Sequence, residues 1–219
     1  MNVVLVRLRI RCNSESMKMS HQKIVVTALA LMNEEGLDKL SMRTLARKFG
    51  VQASALYWHI GGKEELLSCM ATSFYGQALA ATPENVSWRE WLLAFGHAFR
   101  TALLAHRDSA RLCALARPVD SSAWEMNARL VDRLVSAGLD RHTALSYMSS
   151  VISLSLGGAL SEQAGKFDDY LNQMIPYDEV YATALSSMVA GFPEAAAIEE
   201  QTQEPLAVGK AAPLLKRAR

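Results

Sequence analysis

The apolar residues of this chain recur at three- and four-residue intervals from residue 20 onward, and glycine or proline interrupts them at short distances. No alternation with period two persists, so the pattern admits amphipathic helices and leaves little for strands; the fold class is all-α. Ser20 opens a first stripe of Ile24, Val25, Ala28, Leu29 and Met32, and Gly36 stops it. Ser41 caps a short second helix through Phe49, with Leu45, Ala46 and Phe49 turned inward, and Gly50 breaks it. A third helix carries residues 53–59 up to Gly61-Gly62, and a fourth runs from Lys63 to about Ala81, before Thr82-Pro83.

A second block follows Ser87. The segment from Trp88 to about His106 is apolar almost all round, which suits a helix buried on most sides or lining a cavity. Asp108 is placed to cap a short helix to Leu115, stopped by Arg117-Pro118. Further helices are expected over 122–137, from Asp140 to about Gln163, and over 177–192. The Ala-, Pro- and charge-rich stretch 193–219 reads as a mobile tail. Residues 1–19 read as an extension, disordered or placed ahead of a true start at Met17 or Met19.

Charge and cysteine usage narrow the function. The net charge of +1 excludes a polycation, so a nucleic-acid face must come from local clustering. Lys39, Arg43, Arg47, Lys48 and Lys63 supply such a cluster, with no acidic residue between 39 and 63. Cys12, Cys69 and Cys113 are widely spaced, form no metal knuckle, and read as reduced thiols in a cytoplasm. No apolar run of membrane-spanning length is expected. No motif couples a nucleophile to a base, so no enzyme, cofactor or metal is expected.

The most informative stretch is VQASALYWHIGGKEELL, from Val51 to Leu67. Two short helices meeting at Gly50 fit a helix-turn-helix. Leu45, Ala46, Phe49, Val51 and Leu56 are expected to share a small core, with Trp58 packed into it. The small residues Ala53, Ser54 and Ala55 let the backbone approach bases, and Tyr57 and His59 can reach phosphates or base edges. Lys63 would meet a phosphate at the start of the next helix. The bland alternative is a solvated basic face on a bundle.

The segment LSMRTLARKFGVQASALYWHIGGKEELL resembles the DNA-binding domain of TetR-family repressors. SWREWLLAFGHAFRTALLAHRD and the Ala116-Arg117-Pro118 run resemble the ligand-binding domain of the tetracycline-repressor-like group. The resemblance implies a DNA-binding domain over 20–66 and a ligand-binding and dimerisation domain over 67–192. It implies a homodimeric repressor on a palindromic double-stranded DNA operator, with Ser41, Arg43, Gln52, Ala53, Ser54, Tyr57, His59 and Lys63 as DNA-contacting residues. The small residues Ser146, Ser149, Ser150, Ser153, Ser155, Gly157 and Gly158 would form a four-helix dimer seam with the last helix. A DNA-binding activator or partner-controlled regulator is the alternative.

The same resemblance places a pocket at Leu79, Phe95, Phe99, Cys113, Arg117, Pro118, Trp124 and Glu162, with Met126 nearby. Tetracycline repressors hold a magnesium-chelated drug with two histidines, an asparagine and a glutamate. The matching positions here are Leu79, Phe95, Cys113 and Ser161, with Glu162 one step away. A hard magnesium ion prefers oxygen ligands, so the effector expected is a small hydrophobic or aromatic molecule with an acidic or carbonyl group for Arg117, not tetracycline–magnesium.

Overall fold

A computed structural model describes residues 20–119, 121–165 and 172–194; the side chains of 121 and 122 are not described. The 1–19 extension, and the 193–219 tail apart from Pro193 and Glu194, lie outside the described residues. The elements are α1 (His21–Glu35), α2 (Met42–Phe49), α3 (Ala53–Tyr57), α4 (Lys63–Ala80), α5 (Trp88–Leu104), α6 (Ser109–Leu115), α7 (Ser121–Val135), α8 (Arg141–Ala164) and α9 (Tyr177–Ala190). A single 3₁₀ turn spans Leu37–Lys39, and the described residues contain no strand.

Local chemistry fixes the helix ends. Ser41 and Thr44 form a reciprocal capping box at the start of α2, with the Ser41 hydroxyl accepting from the Thr44 amide at 3.1 Å and Thr44 Oγ1 accepting from the Ser41 amide at 2.9 Å. Ser87 and Glu90 do the same for α5, and the Asp140 carboxylate accepts from His142 and Thr143 amides at the start of α8. Gly50 stands in the left-handed conformation (φ 68°, ψ 28°) that turns the chain from α2 toward α3, a geometry that a Cβ disfavours. Asp108 is not the side-chain cap expected for α6. It sits at φ 58°, and its Oδ2 instead accepts from the Leu37 amide at 2.8 Å, so the carboxylate serves a contact between distant segments.

Helix α5 is the hub. It packs against α4 on one side and α8 on another, with α9 across its middle. Gly96 makes that crossing possible. A Cβ there would stand 2.8 Å from Leu185 Cδ2 and 3.1 Å from Val151 Cγ1, so a side chain would force α8 and α9 away. The Tyr181 hydroxyl donates to the Gly96 carbonyl at 2.8 Å and meets Ser155 Oγ at 2.7 Å, which satisfies the polar groups buried at the crossing. Trp91, Phe95 and Phe99 stack in succession along α5 in the core.

Helix α8 corrects one expectation. By length and apolarity it is sufficient to cross a membrane. Its small residues dilute the apolar run in the sequence, and in the fold it packs against α5, α6, α7 and α9. The small residues also divide. Ser146, Ser149, Ser153 and Gly157 are exposed, whereas Ser155 and Gly158 are buried toward α9 and so do not belong to an outward face.

Candidate nucleic-acid interface and cavities

Leu56 and Ile60 are fully buried, four residues apart, and so take the inward face of α3 and the turn after it. At about 100° per residue, the residues between them must point away. Tyr57 is 52% exposed and Trp58 88% exposed. Trp58 is therefore not a core residue, contrary to the sequence expectation, and a bulky indole stands in solvent beside Tyr57 and His59. Val51 is also more exposed than expected. Its amide closes the turn by donating to the Ala46 carbonyl at 3.1 Å, and its side chain stays at the rim.

Arg43, Gln52, Ser54, His59 and Lys63 are exposed on the same short stretch, and Ala53 is half-buried. Lys48 is tied to Glu34 at 2.6 Å. Arg43, Arg47 and Lys63 have no ion-pair partner among the described residues. The Glu65 carboxylate accepts from the Gly61 amide at 2.5 Å, which pins the turn from which Lys63 projects. The Ser41 hydroxyl, a candidate DNA contact, is engaged in the capping box.

The expected single pocket resolves into separate depressions. A cavity of about 190 Å³ lies between α4, α6 and α7, bounded by Tyr75, Cys113, Arg117, Pro118 and Met126. A cleft of about 600 Å³ lies further along α4 and α7, with Leu79, Trp91 and Arg129 in its walls. Trp124 is 63% exposed and lines a third groove, between α7 and α8. Phe95 and Phe99 are fully buried; Phe99 stacks on Tyr75 at 4.6 Å and so forms the wall behind the first cavity. Burial pushes the Cys113 thiol up to about 12, so it is neutral at physiological pH and adds a soft apolar surface. Burial, and then the neighbouring Cys113, raise the Tyr75 hydroxyl as well.

Glu162 is not directed into either space. Its carboxylate takes two hydrogen bonds from Arg100, at 2.8 and 2.6 Å, and Asp178 takes a third at 2.7 Å. Burial works against the Arg100 cation, yet these carboxylates hold its pKa above the usual range. The guanidinium lies over the Tyr181 ring at 4.9 Å. Sequence reasoning missed Arg100, and its one signal is an arginine on the apolar stretch that follows Trp91 in α5.

Besides the packing of α1 on α4, contacts with α6 and with the 116–119 loop join the α1–α3 unit to the rest. Asn33 donates to His106 Nδ1 at 2.9 Å and accepts from the Arg107 amide at 3.0 Å, while Arg111 grips Asp38 through both nitrogens. On the other side, the Val119 amide donates to Ser68 at 3.4 Å, and Val119 shares a depression with Gly61, Gly62 and Lys63. The loop that carries Arg117 and Pro118 thus abuts the turn that carries Lys63.

A short protruding helix-turn-helix mounted on a helical body with cavities defines a DNA-binding regulator. The sequence profile described as "Bacterial regulatory proteins, tetR family" matches residues 24–69, and that described as "Tetracyclin repressor-like, C-terminal domain" matches residues 81–201. The chain belongs to the tetR family of bacterial regulatory proteins, in its tetracycline-repressor-like group. It is 35% identical to the class A tetracycline repressor protein from transposon 1721 of Escherichia coli, over 69% of this chain and 70% of that protein. A class A repressor structure in complex with 5a,6-anhydrotetracycline and magnesium superimposes with a TM-score of 0.64, at 30% identity, over 80% of this chain and 98% of the other. ActR of Streptomyces coelicolor in complex with actinorhodin gives a TM-score of 0.68 at 26% identity, over 80% and 96% of the two chains.

Proposed function

We propose that the chain is a cytoplasmic, ligand-responsive repressor that binds a palindromic operator as a homodimer and is released by a small hydrophobic or aromatic effector. In this reading residues 20–66 read DNA, and 67–192 hold the effector and the partner. The observation that carries the proposal is the exposed strip Tyr57-Trp58-His59, beside Arg43 and Lys63, on a helix anchored by buried Leu56 and Ile60. Arg43 suits guanine and Gln52 suits adenine as base readers. Ala53 and Ser54 allow close approach, Ser41 sets the start of α2, and Tyr57 and Lys63 position the protein on phosphates. Trp58 joins this set as an apolar contact to sugar or thymine methyl.

In a salt titration of DNA affinity, Lys63→Ala should reduce the slope of log affinity against log salt by about one and weaken binding to all sequences alike. Arg43→Ala should relax base preference. An unchanged slope for Lys63→Ala would sink this docking geometry.

The dimer is proposed across α8 and α9, where Leu145 and Leu160 are exposed beside Ser149, Ser153 and Gly157. A two-fold axis would place half-sites about 34–36 Å apart, or a multiple of that. A Cβ at Gly157 meets nothing within 4 Å in the protomer, so Gly157→Glu should leave the protomer folded and yield monomers. Sedimentation showing an intact dimer would move the seam elsewhere.

For the effector, the residues do not fit a chelated magnesium ion. The matched positions carry Leu79, Phe95, Cys113 and Ser161, and Glu162 is bound to Arg100. The first cavity instead suits an apolar ring with one acidic or carbonyl oxygen toward Arg117, with Pro118 and Cys113 beside it. Movement of the 116–119 loop would reach Lys63 through Val119 and Ser68.

A further inference from the structure

The joint between the α1–α3 unit and the body contains a histidine whose proton count decides how well the joint closes. Asn33, in the last turn of α1, stands between the Arg107 amide and the His106 ring. The Arg107 N–H donates to Asn33 Oδ1 at 3.0 Å. A backbone N–H is a donor only, so this contact fixes which end of the Asn33 amide faces which neighbour. Asn33 Nδ2, also a donor only, then faces His106 Nδ1 at 2.9 Å. Nδ1 must accept, so the ring is neutral and carries its proton on Nε2. The ring is half-buried and meets Phe74 of α4 edge-on, with 5.3 Å between centroids. The His106 carbonyl accepts from Gln163 of α8 at 2.8 Å. Ring and backbone are thus held by two different helices.

A proton on Nδ1 breaks this arrangement. With Asn33 as it stands, an N–H meets an N–H. With the Asn33 amide reversed, Oδ1 serves the ring, but the Arg107 N–H then faces the NH₂ group. One of the two contacts is lost either way. The charges around the joint are already engaged. On α1, Glu34 pairs with Lys48. Glu35, the last residue of α1, has no ion-pair partner among the described residues, but the Arg107 guanidinium and the Asp108 carboxylate both lie against the adjacent Gly36, each 3.3 Å from where its Cβ would be. On the 3₁₀ turn, Lys39 is exposed and Asp38 is gripped by Arg111 of α6. Helix α4 carries no Asp, Glu, Lys, Arg or His from Leu66 to Ala80, and Glu162 of α8 is taken up by Arg100. The Arg111 guanidinium, hydrogen-bonded to Asp38, holds that carboxyl below its usual range, so their pair survives in acid that protonates a histidine.

We propose that His106 makes this joint acid-sensitive: closed while the ring is neutral, loosened when it is protonated, with weaker DNA binding as the consequence. A loosened α1–α3 unit must be re-ordered when both units of a dimer seat on one operator, which costs conformational entropy. Histidine changes charge between pH 5 and 8. The neutral ring holds the joint, so the sign is fixed: acid weakens the grip on DNA. The effect on DNA rests on the repressor reading above; the joint itself does not.

The test compares the full chain with His106→Asn, whose amide keeps an acceptor near the place of Nδ1 and cannot gain a proton. Amide hydrogen exchange, corrected for its intrinsic pH dependence, is followed at pH 8 and 5.5 in the segments 33–37 and 105–109, which carry the Leu37 and Arg107 amides of the joint. Protection there should fall about three- to tenfold at pH 5.5 in the parent and stay level in His106→Asn. Affinity for a DNA duplex selected from a random-sequence pool at pH 8 should fall by a similar factor in the parent and not in the variant. Both proteins keep His59 on the DNA-facing strip, so the difference between them isolates His106. Nitrogen-15 spectra of the histidine-labelled parent need no variant, and should show His106 Nδ1 unprotonated at pH 8. A proton on Nδ1 at pH 8, or equal losses of protection in the two proteins, would overturn the acid-sensitive joint. Protection that falls as expected while DNA affinity holds would overturn the consequence for DNA. Protection that falls as expected in a chain that binds no duplex at either pH would overturn the repressor reading and leave the joint standing.

Discussion

Glu162→Ala should destabilise the protein by about 3–5 kcal/mol, lowering its melting temperature by roughly 10 °C at fixed protein concentration. The side chains of Arg100 and Glu162 are only 10% and 14% exposed. Truncating the glutamate leaves a guanidinium desolvated between α5, α8 and α9, with the Asp178 carboxylate, itself 84% exposed, as its remaining counter-charge. Removing one member of a buried pair costs more than removing both, because the survivor keeps its desolvation penalty. Replacing both, as Arg100→Met with Glu162→Leu, should therefore recover much of the loss. Glu162→Gln should fall between the extremes, since it keeps an acceptor and loses the charge. A Glu162→Ala variant that melts within a degree or two of the parent, yet responds differently to effector, would return Glu162 to the ligand site that the resemblance implied.

The helices were legible because their ends are written locally. Ser41, Ser87 and Asp140 cap through their own neighbours, and Gly50 needs only its own backbone, so a reading limited to a few residues finds them. What escaped depends on partners far along the chain. Asp108 stands where a cap for α6 is expected, yet it answers Leu37, 71 residues away. Arg100 and Glu162 are 62 residues apart, and nothing local announces their pairing. Trp58 stands in solvent instead of the expected core, and the periodicity of Leu56 and Ile60 accounts for it, because two inward positions four apart leave the residues between them outside. The cavity residues were named without their grouping. Cys113 and Arg117 share one space and Leu79 another, a grouping that only the packing of α4 against α7 reveals.

Tetracycline with magnesium should fail to release this protein from its operator, although the family relationship is to tetracycline repressors. The drug presents many oxygens, and each buried polar group left without a partner costs about 1–3 kcal/mol. Phe95 is fully buried between Trp91 and Phe99 and offers a ring where a hydrogen-bonding amide would be needed. Leu79 presents hydrocarbon to the cleft that it lines with Trp91 and Arg129. Cys113 presents a thiol that burial keeps protonated, and magnesium prefers oxygen to sulfur even when the sulfur is ionised. Among the described residues no three His, Cys, Asp or Glu side chains gather where they could hold an ion. Two or three such losses, at about 1.4 kcal/mol per factor of ten, would shift the releasing concentration by several orders of magnitude. An aromatic compound with an anionic or carbonyl group should release the protein instead, and Arg117→Ala should blunt that response while leaving DNA affinity intact. Fluorescence anisotropy of the labelled operator reads both arms, with tetracycline–magnesium in one and aromatic acids, phenols and lactones in the other. Release by micromolar tetracycline–magnesium would show that Leu79, Phe95 and Cys113 have not remade the pocket.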